Sequence, residues 1–292
     1  MLASAQGGAE AEEALTATAG AFSSGVHKVT LSNGSTTATV LPFQGQQIWD
    51  LAVDGRPLTM ATMCAEPVPV EPRDPWEYIN TYGAFFVHCG GNSLGIPGPA
   101  DPHSLHGELP NARYTQATVT TGQDARGTYI GVEGVYEHVI FCTANWRAEA
   151  SCRLYAGETA VCISMRITNR FHHPMELLLL GHANYRPVGG SSLHYTHACS
   201  AEDISVHPSV NGLVPISEEQ EAYLLKMQED PSIHNELTPE LMGNLNPEVL
   251  FFLHKYQADG EGWAHSMQKH EGGETADYIK HRPEQLDKCV RW

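Results

Sequence analysis

The sequence predicts an all-β protein, a sandwich or barrel of antiparallel strands. Three observations carry this. Short runs rich in Val, Ile, Thr, Tyr and Phe recur from residue 26 onward with turn signals between them. Two of the turns are Asn33-Gly34 and Asp54-Gly55, the dipeptides that best fit two-residue hairpin loops. The 292 residues include 27 Gly and 18 Pro against a charged fraction of 17%, a composition for many turns and a packed core.

Taken in order, the N-terminal "MLASAQGGAEAEEALTATAG" is Ala-rich and acidic, without the basic start and apolar block of a signal peptide. Residues 1–25 are therefore expected as a flexible extension, and residues 26–292 as one β domain. "VHKVTLSNGSTTATVLPF" and "QIWDLAVDGRPLTM" read as opening hairpins. Residues 64–80 are rich in Pro and Glu and read as loop. Residues 81–114 are dense in Gly and Pro, with one short strand expected at 85–88. A stretch that long without regular structure is usually functional. Strands then follow in "QATVTTG", "TYIGVEGVYEHVIFCTANWRAEASCRLYAG", "AVCISMRITNRF", "MELLLLGHANYRP" and "SLHYTHAC". "ISEEQEAYLLKMQED" is the helix candidate, with Ala222, Leu225 and Met227 flanked by acids and Pro231 as its stop. "EVLFFLHKY", "GWAHSMQKH" and "TADYIKHRP" return to strand patterns.

The net charge of −17 should repel phosphate backbones and anionic membranes, which leaves a small molecule as the expected partner. No apolar run reaches the roughly 18 residues of a membrane span. The cysteine count of 7 is odd and no CxxC occurs, so neither a disulfide framework nor a zinc ribbon is expected, and a reducing cytoplasm fits. Cys142, Cys152 and Cys162 read as small apolar fillers in neighbouring strands.

The 16 histidines are the informative excess, because imidazole exchanges protons near neutral pH. His88 in "FVHCGGN" ends an apolar strand beside glycines. His106 and Glu108 in "LHGELPN" would share a face of extended chain. His182, Asn184 and Arg186 alternate along the end of a leucine strand taken as buried, like a ligand wall. Trp263 and Gln268 offer an aromatic face and an amide, as sugar binding requires. The sequence holds no GxGxxG opening a helix, no GxxxxGK[ST], no HExxH and no GxSxG. Three imidazoles, His88, His106 and His182, would be the set for a metal-dependent, cupin-like sugar isomerase.

"LHGELPNA", "ITNRFHHPMELLLLGHANYRP" and "HRPEQLDK", within a β-rich chain from residue 26, together resemble the aldose 1-epimerase (galactose mutarotase)-like family. The likeness is to an uncharacterised branch described as a domain of unknown function. It implies a large antiparallel β supersandwich with one or two short helices. It also implies an isomerase that interconverts the anomers of an aldose or aldose derivative, without metal or cofactor. His106 matches the histidine of the family's LHG motif, which holds substrate. His182 falls where the family keeps its general-acid histidine, with His172 and His173 as rivals. His88, Glu108, Asn184, Arg186, Trp263 and Gln268 are then expected to bind substrate, and Arg186 suits an anionic sugar. The family's base is a glutamate near the C-terminus of the fold. The sequence ends at "DKCVRW" without a matching segment, so a shortened domain, or a sugar-binding protein that lacks the base, is the alternative expectation.

Overall fold

In the computed structural model, the described residues are 15–70, 75–196, 200, 202–208, 216–244, 249–254 and 257–292. Among them no helix is long and apolar enough to cross a membrane. They form two compact units, one up to Arg186 and one from Pro187, where the sequence pattern shows no linker.

In the first unit, β1 (Thr16–Ala21), β2 (His27–Ser32), β3 (Thr36–Val40), β4 (Ile48–Val53) and β5 (Arg56–Pro57) precede a single helical turn, α1 (Glu77–Asn80). Then come β6 (Phe86–Gly91), β7 (Gln116–Asp124), β8 (Gly127–Ile140), β9 (Ala144–Tyr155), β10 (Val161–Asn169) and β11 (Leu178–Ala183). One sheet runs β1-β2-β3-β4-β6-β11, with β5 on β4, and a second runs β10-β9-β8-β7. Every strand pair is antiparallel.

Alternation sets the core. Val29 and Leu31 of β2, Ala38 and Val40 of β3, and Phe86 of β6 pack with Ile130, Val132, Cys152 and Leu154 of the second sheet. The opposite face of the first sheet is buried as well. Trp49, Val87 and Cys89 pack there with Tyr78 of α1 and with Ala84 and Leu105 from the segment expected to be structureless. That segment is held by backbone bonds, such as Gly90 N to His106 O at 2.7 Å and Leu105 N to Pro75 O at 2.7 Å.

The second unit contains β12 (Ser192–Tyr195), β13 (Ile204–Pro208), α2 (Glu218–Glu229), a 3-10 turn (Pro231–Asn235) and α3 (Pro239–Asn244). It ends with β14 (Val249–Leu253), β15 (Ala264–Lys269), β16 (Ala276–His281) and β17 (Cys289–Arg291). Its sheets are β12-β15-β16 and β13-β14-β17. α2 begins at a capping box: Ser217 Oγ accepts from Gln220 N at 3.2 Å, and Gln220 Oε1 accepts from Ser217 N at 2.9 Å. Its buried side chains are Tyr223 and Met227, whereas Leu225 is exposed.

Several expectations change. Strand β1 lies inside the stretch read as a flexible extension and pairs along its length with β2, with Thr16 and Thr18 as its β-favouring residues. β6 runs to Gly91 rather than ending at residue 88. The leucine strand, read as buried, is the edge strand β11, and Leu177 and Leu178 are exposed. Cys152 is a core residue, but Cys142 is exposed in the β8–β9 turn at φ 64°. Residues 1–14, 71–74, 197–199, 248 and 255–256 of the expected elements lie outside the described residues.

Candidate functional site

The site is built on the edge of the seven-stranded sheet. His182 is on β11, paired in register with Val87 of β6. Directly paired residues share a face, so the His182 side chain lies on the face of Val87 and Cys89. His106 reaches that face from the loop after β6. Its backbone is left-handed, φ 62°, followed by Gly107 at φ 85°. The glycine is required there: a Cβ would stand 2.1 Å from Ser93 O.

The rings of His106 and His182 meet edge to face, with centroids 5.8 Å apart. Tyr78 lies 5.5 Å from His106, Tyr82 lies 6.1 Å from His182, and the two tyrosine rings are 5.4 Å apart. Two imidazoles and two phenols thus close a ring of edge contacts. Tyr78 lies in the α1 turn and Tyr82 just after it, at spacing four in "WEYINTYG", which puts them on one side of a helical turn. That spacing was the available signal for residues the sequence reading missed. The Tyr78 hydroxyl is buried with no hydrogen-bond partner among the described residues, and burial pushes its pKa well up. His182 is lowered to about 4, chiefly by burial and further by the neighbouring His106, while a hydrogen bond with Asn184 opposes the shift.

Of the other expected site residues, Asn184 is closest to this pair, but not as a ligand wall. It is 3% exposed. Its Nδ2 donates to Ala84 O at 2.8 Å and its Oδ1 accepts from the Tyr82 hydroxyl at 3.1 Å. Arg186 is exposed at the end of the same run, with its backbone N bonded to Leu58 O and its Nε to Thr59 O at 3.2 Å.

His88 and Glu108 are elsewhere. His88 is paired with Gly181, so it points to the opposite face from His182 and packs against Phe86 at 5.0 Å. Burial lowers its pKa to about 4. The three imidazoles of the metal alternative therefore do not converge, because alternation along β6 and β11 sends them to different faces. Among the described residues no group of three His, Cys, Asp or Glu is placed to hold a metal ion. Glu108 Oε2 accepts from the backbone N of Asn92 at 2.9 Å and of Ser93 at 3.3 Å. Its charge acts on Tyr136 and His138. His138 stacks on Trp146 at 4.9 Å. His106 and Glu108 do not share a face as extended chain would place them, because His106 itself and Gly107 are left-handed.

An open cleft of about 320 Å³ lies on the Glu108 side, beside Trp146, Asn92, Asn169, His173 and Met175. It accounts for His173, and with His172 that residue forms an aromatic group around Phe171 at 5.6 and 4.3 Å. Trp263 and Gln268 belong to the second unit. Trp263 carries Arg282 over its ring at 4.0 Å. Gln268 is buried, accepting from Val188 N at 2.9 Å and donating to Asp277 Oδ2 at 3.2 Å.

A family model described as "Domain of unknown function (DUF4432)" matches residues 23–193. Among solved structures, a "putative aldose 1-epimerase" from Klebsiella pneumoniae superposes with a TM-score of 0.70 at 18% identity, over 91% of this chain and 66% of that one. A galactose mutarotase-like protein from Clostridium acetobutylicum superposes with a TM-score of 0.53 at 13% identity, over 95% of this chain and 88% of that one. No curated protein matches the sequence. The antiparallel β architecture is thus that of the galactose mutarotase-like sandwich, and the chain spans about 66% of the length of the Klebsiella protein.

Proposed function

The chain belongs to the DUF4432 family and has a mutarotase-like fold, and from that premise we propose that it binds an aldose, or an aldose derivative, and interconverts its anomers. The observation that carries this reading is the contact between the His106 and His182 rings, 5.8 Å apart.

Opening a pyranose removes the proton from the anomeric hydroxyl, breaks the bond between C1 and the ring oxygen, and places a proton on that oxygen. Both oxygens are attached to C1. One imidazole within reach of both can take the proton from the first and return it to the second. His182, lowered to about 4, is neutral at pH 7 and enters as the acceptor. The imidazolium it becomes is a strong donor and is neutral again after the transfer, so the charge balances. This gives His182 both halves of the step, because Glu108 is turned to the other side of the loop. His106 holds a substrate hydroxyl and fixes orientation. Arg186, exposed four residues beyond His182 in the same run, is the cation that would favour an anionic aldose.

A second reading, a sugar-binding protein without catalysis, is favoured by the placement of Glu108 away from the histidine pair. One experiment separates the two. Anomer exchange is followed by NMR saturation transfer across neutral and anionic aldoses, for the native chain and for His106→Ala and His182→Ala. The enzyme reading expects exchange above the buffer rate, falling about 10²–10⁴-fold when His182 is removed. Shift changes on sugar addition without faster exchange would support the binding reading. No response to any sugar would overturn both.

A further inference from the structure

We propose that Thr275 is a nucleophile that takes the acyl group of an activated ester, with His270 as its general base and Asp277 as the group that holds the base. The proposal is independent of the sugar reading, since all of its residues lie in the second unit.

Strand alternation assembles the group. β15 and β16 form a hairpin in which Gln268 pairs with Asp277 and Lys269 with Ala276. Directly paired residues share a face. His270 lies two residues beyond Gln268, and Thr275 two before Asp277, so all four side chains fall on one face. The pairing reaches this last pair, where His270 N donates to Thr275 O at 3.0 Å. Between them Gly272 and Gly273 take left-handed backbone, φ 85° and 73°, and close the turn.

The proton positions follow from the partners. Gln268 Oε1 accepts from Val188 N at 2.9 Å, which turns its Nε2 toward Asp277 Oδ2 at 3.2 Å. His270 Nε2 meets the same carboxylate oxygen at 3.0 Å. A carboxylate only accepts, so Nε2 carries the ring proton. In a neutral imidazole the lone pair is then on Nδ1. The Thr275 hydroxyl donates to that nitrogen at 2.9 Å. Hydroxyl, imidazole and carboxylate thus stand in series, each within the reach that an activated nucleophile needs. Exposure rises along the series. The Asp277 side chain is 3% exposed, that of His270 is 13% exposed, and Thr275 is open to solvent. The buried end orients the base, and the exposed end meets the acyl donor.

In the first step the Thr275 oxygen attacks the acyl carbon and its proton passes to His270 Nδ1. The bond to the ester's leaving oxygen then breaks, and that oxygen takes the proton from Nδ1. Water attacks the acyl-threonine in the same way, which releases the acid and restores the hydroxyl. An oxyanion formed at an exposed hairpin is little stabilised, so the substrate must bring a good leaving group.

The full chain is treated with p-nitrophenyl acetate near neutral pH. Phenol release is followed by absorbance, and samples quenched in acid are mapped by peptide mass. Hydroxylamine separates an ester on threonine from an amide on lysine. We expect a burst of phenol and an acetyl ester at Thr275, well ahead of the exposed Thr143. Thr275→Ser should keep the burst, and Thr275→Val should abolish it. His270→Gln should slow the labelling of Thr275 by about 10²-fold or more. Asp277→Asn should slow it too and move its pH profile to lower pH, because a carboxylate beside the ring favours the charged form. If Asp277→Asn fails to fold, the Thr275 and His270 variants decide. Acetyl groups confined to lysines, labelling of Thr275 no faster than of Thr143, or an unchanged rate in His270→Gln would each overturn the proposal.

Discussion

His106 and Glu108 are separated by one glycine and face different surroundings. The His106 ring meets His182 at 5.8 Å, while Glu108 Oε2 accepts from Asn92 N at 2.9 Å, on the side of His138 and Trp146. The cause is local: left-handed backbone at His106 and Gly107, φ 62° and 85°, turns the chain between them. The segment is therefore a partition with a histidine on one side and a carboxylate on the other.

Gly107 makes that partition possible, and Gly107→Ala should break it. A Cβ there would stand 2.1 Å from Ser93 O and 2.8 Å from Gly90 O, both backbone atoms that cannot swing away. The expected loss is about 3 kcal/mol or more, the range of enforced backbone strain with a core clash. Gly55→Ala is the control, because its Cβ would meet nothing within 4 Å at φ +75°. That change should cost only about 1–2 kcal/mol. Urea denaturation of the two variants checks the difference.

Glu108→Ala should act on stability and leave the histidine pair alone. It removes the acceptor of two backbone N–H groups, those of Asn92 and Ser93. The first of these bonds is exposed and the second part-buried, so water can take over part of the pairing and the expected loss is about 0.5–1.5 kcal/mol. The His182 ring signals should stay where they are. Movement of those signals would place Glu108 in the same pocket and restore it as a catalytic carboxylate.

Much of this molecule was legible in its sequence because strand pattern and turn chemistry are local. Asp54-Gly55 joins β4 to β5 with both residues left-handed, φ 49° and 75°, as that dipeptide requires, whereas in the β2–β3 turn Asn33 pairs with Thr36 and the two loop residues are Gly34 and Ser35. The capping box that starts α2 was written in Ser217 and Gln220. A motif resemblance singled out the two histidines of the candidate site, which the edge strand β11 and the loop after β6 bring together. What failed was inference about facing. His88 and His182 lie on different strands, and only the register of β6 against β11 says which faces they occupy. The leucines of β11 are as apolar as those of a central strand, and their position at the sheet edge is set by the whole topology. Asn184 looked like a wall residue because its alternation with His182 is real. Its burial comes from Ala84 and Tyr82, a hundred residues away in sequence.

Acid should destabilise the fold through His88. Burial on the core face holds its pKa at about 4, against about 6.5 in an unfolded chain. Between those values the unfolded state binds the proton and the folded state does not. Stability is therefore full above about pH 6.5 and falls as the pH drops toward 4. The largest contribution of one such group is about 3 kcal/mol, from roughly 1.4 kcal/mol per pKa unit. His88→Leu should flatten the slope of unfolding free energy against pH by up to one proton across that window. His182, shifted in the same direction, should keep part of the slope. Denaturant titrations at steps of pH measure both.

The pH dependence of anomer exchange should follow His182 as an acceptor. With the imidazole lowered to about 4 by burial and by His106, protonation below that pH removes the lone pair the first step needs. The rate constant should rise through about pH 4 and then hold level to neutrality. An imidazolium acting as the initial donor gives the mirror image, a rate that falls as pH rises through 4. Asn184→Asp supplies the sign check. A carboxylate beside His182 favours the charged ring and moves its pKa up, so the rising limb should shift to higher pH. If the limb moves down, or stays in place while the His182 signals titrate at a new pH, the group that controls exchange is another one. Rates and ring signals measured on the same sample decide it.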